Sequence, residues 1–364
     1  MNWAPDPTPV QRVVLDALRL DRDLDGLSRS LDKVGEEEVL DCAVRNKVVA
    51  AVATSLRPLG GSWEEAAAKA ERRANSLFEG VVEVAAVVAD PRWGLIEAAG
   101  VVAAAHRPVS ELGSGDVDVV VATGALPAWR RVLRERGFRP TSRRGHKTNR
   151  QEWVRAGTPT QRLALSDRCF DRVWLPLGFR DLAPTWVGRS VVARDGLRVL
   201  AATDLLVQVA LHTSLHSFVR APGLRLHLDV DRMARQPVDW GGALAQLRAV
   251  GGERRAWVSL AMARELLGAP IDEAQLASLR PPPGVAGSVR RVVRRASVFA
   301  GGRKLAGPGA VFLDAAVDDR GVARWLHDAL LPPREWLARR YGEGSAWRLH
   351  GSRYRDALQR WRPE

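Results

Sequence analysis

Two aspartates one residue apart are the residues of this chain best suited to carry out chemistry. Asp116 and Asp118 follow a glycine-rich turn at residues 113–115 and lead into an apolar run that ends at Val121. A β-strand presents alternate side chains on one face, so both carboxylates would point the same way. Paired carboxylates bind a hard divalent cation such as Mg²⁺ or Mn²⁺. The motif therefore predicts a metal site for phosphoryl or nucleotidyl transfer.

The segments around this motif must hold it in a sheet. Residues 101–106 are small and apolar and are predicted to form a strand, after a short helix over residues 94–99. The order strand, loop, carboxylate strand and helix is typical of a compact α/β unit. The helix and the two further strands predicted after the motif cover residues 126–137, 151–155 and 161–166.

Helical segments are predicted on both sides of this unit. Apolar residues recur with helical spacing over residues 7–57, which predicts three or four short helices, and a long helix is predicted over residues 63–88. After Gly196 the chain is predicted to be helical nearly to its end. The predicted fold class is therefore α+β. The predicted parts are an N-terminal helical segment, an α/β domain and a C-terminal helical domain, over residues 1–92, 93–200 and 201–364.

Composition excludes several classes of protein. The chain has 364 residues, with 46% hydrophobic and 27% charged, which indicates a globular protein of two or three domains. Its longest apolar run, near residues 81–89, is too short and too charged to span a membrane. Two cysteines without a CxxC pair argue against a disulfide scaffold or a cysteine zinc site. The N-terminus shows no secretory signal, so a cytoplasmic location is expected.

The net charge of +13 is carried mostly by arginines that are spread along the chain with a few local clusters. Arginine forks bind phosphate well, so contact with nucleotide or RNA is one interpretation. The other, which we favour, is a compositional bias toward arginine with a solvated surface. Nucleic acid therefore stays an alternative partner, and no membrane partner is predicted.

At this point several motifs, in their order and spacing, resemble a known family. The run from residue 100 to 108, Gly115-Asp116-Val117-Asp118 and the Gly-Phe pair at residues 137–138 resemble the uncharacterised nucleotidyltransferase family of bacteria. That family belongs to the polymerase-beta-like superfamily. Its members have a strand ending in Lys-Gly or Arg-Gly, a loop, a Gly-Asp-hydrophobic-Asp strand, and a helix closing on Gly-Phe or Gly-Tyr. Further similar elements lie at residues 203–212, 224–229, 238–240 and 331–341.

The resemblance implies a small mixed sheet and the transfer of a nucleoside monophosphate from an NTP to an acceptor. Asp116 and Asp118 match the family's metal ligands and would be catalytic, with Mg²⁺ or Mn²⁺ as the cofactor. The acceptor is open: small molecule, peptide, protein and RNA all fit. The predicted nucleotide-binding residues are Arg107, Gly113, Ser114, Gly115 and Lys147. For Lys147, a basic loop over the active site and a solvated loop are equally supported.

A third carboxylate normally completes such a site. It is expected on the strand over residues 161–166, but Ala164 stands at the acidic position. Asp167 is the nearest substitute and is predicted to be catalytic, with Glu152 and Asp171 behind it. Without a third carboxylate, the alternative is a catalytically degenerate protein that binds nucleotide, peptide or RNA as an accessory factor.

Two histidines four residues apart are further candidates for a metal site. His212 and His216 would lie on one face of a helix, a spacing that occurs in metal sites. No HExxH motif accompanies them, so packing or capping histidines are the favoured interpretation. Most of the thirteen tryptophans are predicted to be core residues.

Overall fold

A mixed β-sheet lies between two groups of helices, which confirms the predicted α+β class. The computed structural model describes residues 2–141, 150–170, 181–219, 223–300 and 308–360. Within them the sheet has the strand order β3-β4-β5-β2-β1-β7-β6, with β2 parallel to β5, β1 parallel to β7, and the other neighbours antiparallel. The strands are β1 Trp93–Ile96, β2 Val117–Val121, β3 Arg139–Pro140, β4 Gln151–Arg155, β5 Gln161–Ser166, β6 Val191–Val192 and β7 Arg198–Val199.

The predicted helical character of both ends is confirmed. Before the sheet come α1 Pro9–Leu18, α2 Leu24–Val34, α3 Glu36–Arg45, α4 Val49–Leu56 and α5 Gly61–Ala85. Among the strands come α6 Glu97–Ala104, α7 Leu126–Glu135 and α8 Ala183–Gly188. After them come α9 Ala202–Leu215, α10 Gly223–Ala234, α11 Trp240–Val250, α12 Glu253–Leu267, α13 Glu273–Leu279, α14 Pro283–Ala296, α15 Pro308–Ala316, α16 Val322–Leu330, α17 Arg334–Tyr341 and α18 Ala346–Arg360. None of these helices is both long and apolar enough to cross a membrane.

Before the carboxylate motif the sequence predicted a helix over residues 94–99 and a strand over residues 101–106, and this prediction is wrong. The strand is β1, and residues 97–104 form α6. All four residues of β1 are buried, and they pair with β2 so that Ile96 lies opposite Asp118. Alanine favours helix over strand, and the alanine-rich run of α6 follows that preference. Gly100 lets α6 turn back closely on β1, because an added Cβ would lie 2.7 Å from the Leu95 carbonyl oxygen.

One hydrophobic core runs through all three predicted parts of the chain. Near the N-terminus, Trp3 packs edge-on against Trp257 of α12, with ring centroids 4.8 Å apart, and its backbone N–H donates to Glu265. The prediction that tryptophans are mostly core residues is confirmed in this part of the chain: the fully buried ones include Trp63, Trp129, Trp153, Trp186 and Trp257. The domain boundaries stay a prediction.

His227 on α10 makes the stability of the protein depend on pH. It is fully buried, and its Nε2 donates to the Phe218 carbonyl oxygen at 2.8 Å. Burial lowers the pKa of His227 to about 4, below its ordinary value, so its contribution to stability is complete above about pH 6.5 and is lost as pH falls toward 4. Between pH 7 and pH 5 the wild type is expected to lose about 2 kcal/mol more unfolding free energy than His227→Gln, which keeps a donor. Urea denaturation at both pH values measures this difference; equal losses in the two proteins would contradict it.

Candidate active site

Asp116 and Asp118 lie at the start of β2, on one face of the sheet. The alternate residues Val117, Val119 and Val121 are buried, as predicted from the strand period. The side chain of Asp118 is 8% exposed and that of Asp116 is 34% exposed. The pair therefore has one carboxylate inside the protein and one at the mouth of a cleft.

A guanidinium group lies between the two aspartates. Arg150, immediately before β4, places its Nη2 atom 3.2 Å from Oδ2 of Asp116 and 2.6 Å from Oδ1 of Asp118. Its side chain is 36% exposed, so the ion pairs are reachable from solvent. The surrounding carboxylates raise the pKa of Arg150, with Asp118 as the largest cause. Arg150 thus occupies the position between the aspartates where a cation is expected.

The third carboxylate of this cluster belongs to Glu97. Its Oε1 lies 3.8 Å from Nη1 of Arg150, and its carboxyl group is one of the causes that raise the pKa of Asp118. Glu97 is the first residue of α6, directly after the strand that pairs with β2. Its φ of 56° is in the left-handed region, which a residue with a side chain seldom adopts, and its N–H donates to Gln208 at 3.2 Å. The backbone at the end of β1 is therefore held in an uncommon conformation at the point where it supplies a carboxylate.

His212 of α9 contacts Glu97 in the same cluster. Its Nδ1 lies 3.1 Å from Oε1 of Glu97, although the two atoms are not aligned as a hydrogen bond. Burial lowers the pKa of His212 to about 3, with Arg225 and Arg150 adding to the effect, so the imidazole is neutral. The ring also packs against His216, with centroids 5.1 Å apart. His212 is thus a buried packing residue, as interpreted from the sequence, and in addition a wall of the carboxylate cluster.

The cluster holds three acidic side chains and one guanidinium. Burial is the largest cause that raises the pKa of Asp118 well above its ordinary value, and Glu97 and Asp116 raise it further while Arg150 lowers it. A divalent cation at the cluster would favour the ionised form of Asp118.

The residues present fit a divalent cation by their chemistry but not by their present spacing. Carboxylate oxygens are the ligands that Mg²⁺ and Mn²⁺ prefer. Among the described residues, however, no group of three His, Cys, Asp or Glu side chains is arranged to hold a metal ion. The oxygens surround a guanidinium at 2.6 to 3.8 Å, whereas Mg²⁺ requires about 2.1 Å. A metal would therefore have to displace Arg150 and draw the carboxylates together.

The glycine-rich turn before Asp116 is tightly covered by two arginines. A Cβ at Gly115 would lie 2.7 Å from Nη2 of Arg73 on α5, and one at Gly113 would lie 3.3 Å from Cδ of Arg225 on α10. Ser114 Oγ donates to Asp116 Oδ1 at 2.7 Å. Glycine at these two positions lets the side chains of α5 and α10 approach the turn. Nucleotide binding by the turn stays a prediction.

Arg107, predicted to contact phosphate, is engaged in a structural network. Its guanidinium forms an ion pair with Glu111, and Arg194 donates to its backbone carbonyl oxygen. Glu111 in turn faces Arg232 of α10, with 3.6 Å between Oε2 and Nε. Contact with a nucleotide would require Arg107 to leave Glu111.

Of the other candidates for the third carboxylate, Glu152 lies on the same face of the sheet, and its charge helps to raise the pKa of Arg150. Ala164 on β5 pairs with Asp118 on one side and Glu152 on the other, so the expected acidic position is indeed beside the aspartate but carries a methyl group. Asp167 follows the end of β5, and one of its buried oxygens, Oδ1, has no hydrogen-bond partner within the described residues. Lys147 and Asp171 lie outside the described residues.

Comparisons with known proteins agree with the resemblance seen in the motifs. A family model described as uncharacterised nucleotidyltransferase matches residues 32–268, more than half of the chain. No curated protein and no solved structure is similar enough to count as a match. The matched region contains the whole sheet, the three carboxylates, Arg150 and His212. The chain belongs to the uncharacterised nucleotidyltransferase family.

Proposed function

We propose that this protein is a nucleotidyltransferase that uses Mg²⁺ or Mn²⁺ to move a nucleoside monophosphate from an NTP to an acceptor. One observation carries the proposal: the carboxylates of Asp116, Asp118 and Glu97 converge on a single cationic group. Nucleotidyl transfer needs little covalent help from the protein and depends mainly on positioning and charge.

Asp116, Asp118 and Glu97 would hold the divalent cation. When bound, it would offset the negative charge of the phosphate groups. Arg150 lies at the mouth of the cleft on a long side chain, and its guanidinium would be able to bind phosphate in a bidentate manner. The buried surroundings of Asp118 strengthen each of these electrostatic interactions.

The bond changes follow from the chemistry of the reaction. The acceptor's hydroxyl or phosphate oxygen bonds to the α-phosphorus, the bond to the β-phosphate oxygen breaks, and pyrophosphate leaves. A hydroxyl acceptor must lose its proton. Glu97 would accept it, since of the three carboxylates it lies farthest from the Arg150 guanidinium, at 3.8 Å against 3.2 and 2.6 Å.

A second candidate function is the accessory factor, in which Arg150 is the permanent cation of the cluster. The observation that favours it is that the guanidinium contacts both aspartates and that no metal-ready group of side chains is present in the described parts of the chain. Such a protein would bind a nucleotide or another anion without metal and without turnover.

Isothermal titration separates the two functions. ATP, GTP, CTP and UTP are titrated with and without Mg²⁺ into the wild type and into Asp116→Asn with Asp118→Asn. Binding of at least one NTP is expected to be tenfold or more weaker without Mg²⁺ and in the double variant, because both lose the metal bridge.

The matched control is Asp41→Asn with Asp195→Asn, two exposed aspartates whose side chains are 68% and 84% exposed. This control is expected to bind like the wild type. If NTP affinity is the same with and without Mg²⁺, and the same in the Asp116 and Asp118 double variant, the result would contradict the proposed enzyme function and support the accessory factor.

A further inference from the structure

The outer half of the sheet face that carries the carboxylates holds two exposed arginines. They are Arg162 on β5 and Arg139 on β3. Resting on the proposed function, we propose that these two arginines form a phosphate-binding surface that extends the active site from Asp116 to the edge of the sheet. The ligand class is a chain of phosphate groups, either the triphosphate of the nucleotide or the phosphates of the acceptor.

The register places Arg162 beside the aspartates. Leu163 on β5 pairs with Val117 on the parallel strand β2, so the residues that precede them, Arg162 and Asp116, are neighbours across the two strands. Arg162 shares the strand period of Ala164, which pairs with Asp118. Its side chain therefore points to the face on which Asp118 meets Arg150.

The same register places Arg139 on this face, farther out. Val154 on β4 pairs with Arg162 on one side and with Arg139 on the other. Residues paired across antiparallel strands point to the same face. With strands about 4.8 Å apart, Arg139 lies about 10 Å beyond Arg162, and the row reaches about 14 Å from β2. The two long side chains can converge on one phosphate or bind two successive ones.

On the opposite face of the same strands, the arginines contact acidic or aromatic side chains. Arg155 is held by Glu83 at 2.7 Å and lies over the ring of Phe138, and Arg134 lies over Trp153. That face is covered by helices, with Gln161 bonded to Ser76 of α5. The contacts of these arginines stabilise the fold.

Arg139 and Arg162 lack such contacts within the described residues. Both are exposed, and within the described residues neither makes an ion pair, a side-chain hydrogen bond or a ring contact. Glu152 is the acidic residue of β4 on this face, and it acts on Arg150. On the outer half of this face the two arginines outnumber Glu152, so its charge is positive. An unpaired, exposed pair of guanidinium groups beside a phosphoryl-transfer site suits phosphate.

Metal-free titration with sodium tripolyphosphate at low ionic strength tests the proposal. Arg139→Gln with Arg162→Gln is expected to weaken binding tenfold or more relative to the wild type. The control is Arg291→Gln with Arg295→Gln, two exposed arginines on α14 that change the net charge by the same amount. Equal weakening in both variants, or no saturable binding by the wild type, would overturn the proposal.

Two further arms identify the source of the phosphates, again in variants whose folding is checked by circular dichroism. If ATP without metal loses affinity in Arg139→Gln with Arg162→Gln while a uridine decanucleotide does not, the surface serves the nucleotide. The reverse result assigns it to a phosphate-bearing acceptor. Because no metal is present, tripolyphosphate binding is expected to persist in Asp116→Asn with Asp118→Asn, so this surface can be confirmed even if the proposed metal function fails.

Discussion

Glu97→Gln is expected to lower kcat for nucleotidyl transfer by about 10²–10⁴-fold, the usual contribution of a positioned acid or base. Glutamine keeps the shape of the side chain but removes the charge that would bind metal and accept the proton. Removing one of three crowded carboxylates also relieves repulsion on Asp118, so the unfolding free energy is expected to stay level or rise slightly. Steady-state kinetics with a paired thermal denaturation separates these effects.

The control for this prediction is Asp167→Asn, which changes the carboxylate that the sequence favoured. It is expected to keep kcat within about threefold of the wild type, because no contact joins Asp167 to the cluster in the described structure. Loss of turnover in Asp167→Asn with full activity in Glu97→Gln would assign the third carboxylate to β5 and contradict the arrangement described above.

Arg150→Met is expected to separate metal binding from folding. Without metal, the three carboxylates lose the guanidinium that contacts them, so the unfolding free energy should fall by about 1–3 kcal/mol, a value reduced from that of a fully buried pair because Arg150 is 36% exposed. The loss should grow as pH rises from 5 to 8, because repulsion requires ionised carboxylates. Mn²⁺ affinity should increase about tenfold or more, since the competing guanidinium is gone.

Thermal denaturation with and without Mg²⁺ and Mn²⁺ titration by electron paramagnetic resonance measure both effects. Mg²⁺ should stabilise Arg150→Met more than the wild type, because a ligand that binds only the folded state stabilises it. Arg168→Met is the control, since Arg168 and Arg150 both line the cavity that Glu97 and Asp118 face. Arg168 is also 36% exposed, and it pairs with Asp181. An Arg150→Met protein whose Mn²⁺ affinity equals or falls below that of the wild type would show that Arg150 helps to hold the metal or that no metal competes with it.

Local patterns made much of the scaffold predictable. Strands β4 and β5 lie where turn residues and apolar runs predicted them, and helix α7 ends near the predicted glycine. The DxD motif was predictable because strand period and chemistry agree: Val117, Val119 and Val121 lie on one face of β2, and Asp116 and Asp118 share the other. Each of these features is decided within about ten residues of chain.

The third carboxylate could not be found this way, because it depends on which short segment becomes a strand. Strand β1 is only four residues long and buried throughout, so it shows no alternation. The sequence placed the acid on β5, and the register confirms that Ala164 there is beside Asp118. The structure completes the cluster from β1, on the other side of β2, with Glu97. A short apolar run after Asp90-Pro91, closed by a single acidic residue, was the available signal.

Arg150 was equally hidden, since its role depends on a long side chain reaching across β5 from the start of β4. Nothing in its sequence neighbourhood distinguished Arg150 from the other arginines of the chain. Its contact with Asp116 and Asp118 is visible only when the strands are placed side by side.

The most direct test of the metal site is a crystal structure with saturating Mn²⁺, measured at the manganese absorption edge. We expect an anomalous peak roughly 2 Å from carboxylate oxygens of Asp116, Asp118 and Glu97, with the guanidinium of Arg150 moved out from between the aspartates. The contradicting result is a guanidinium that stays bound to Asp116 and Asp118, with no peak at the cluster.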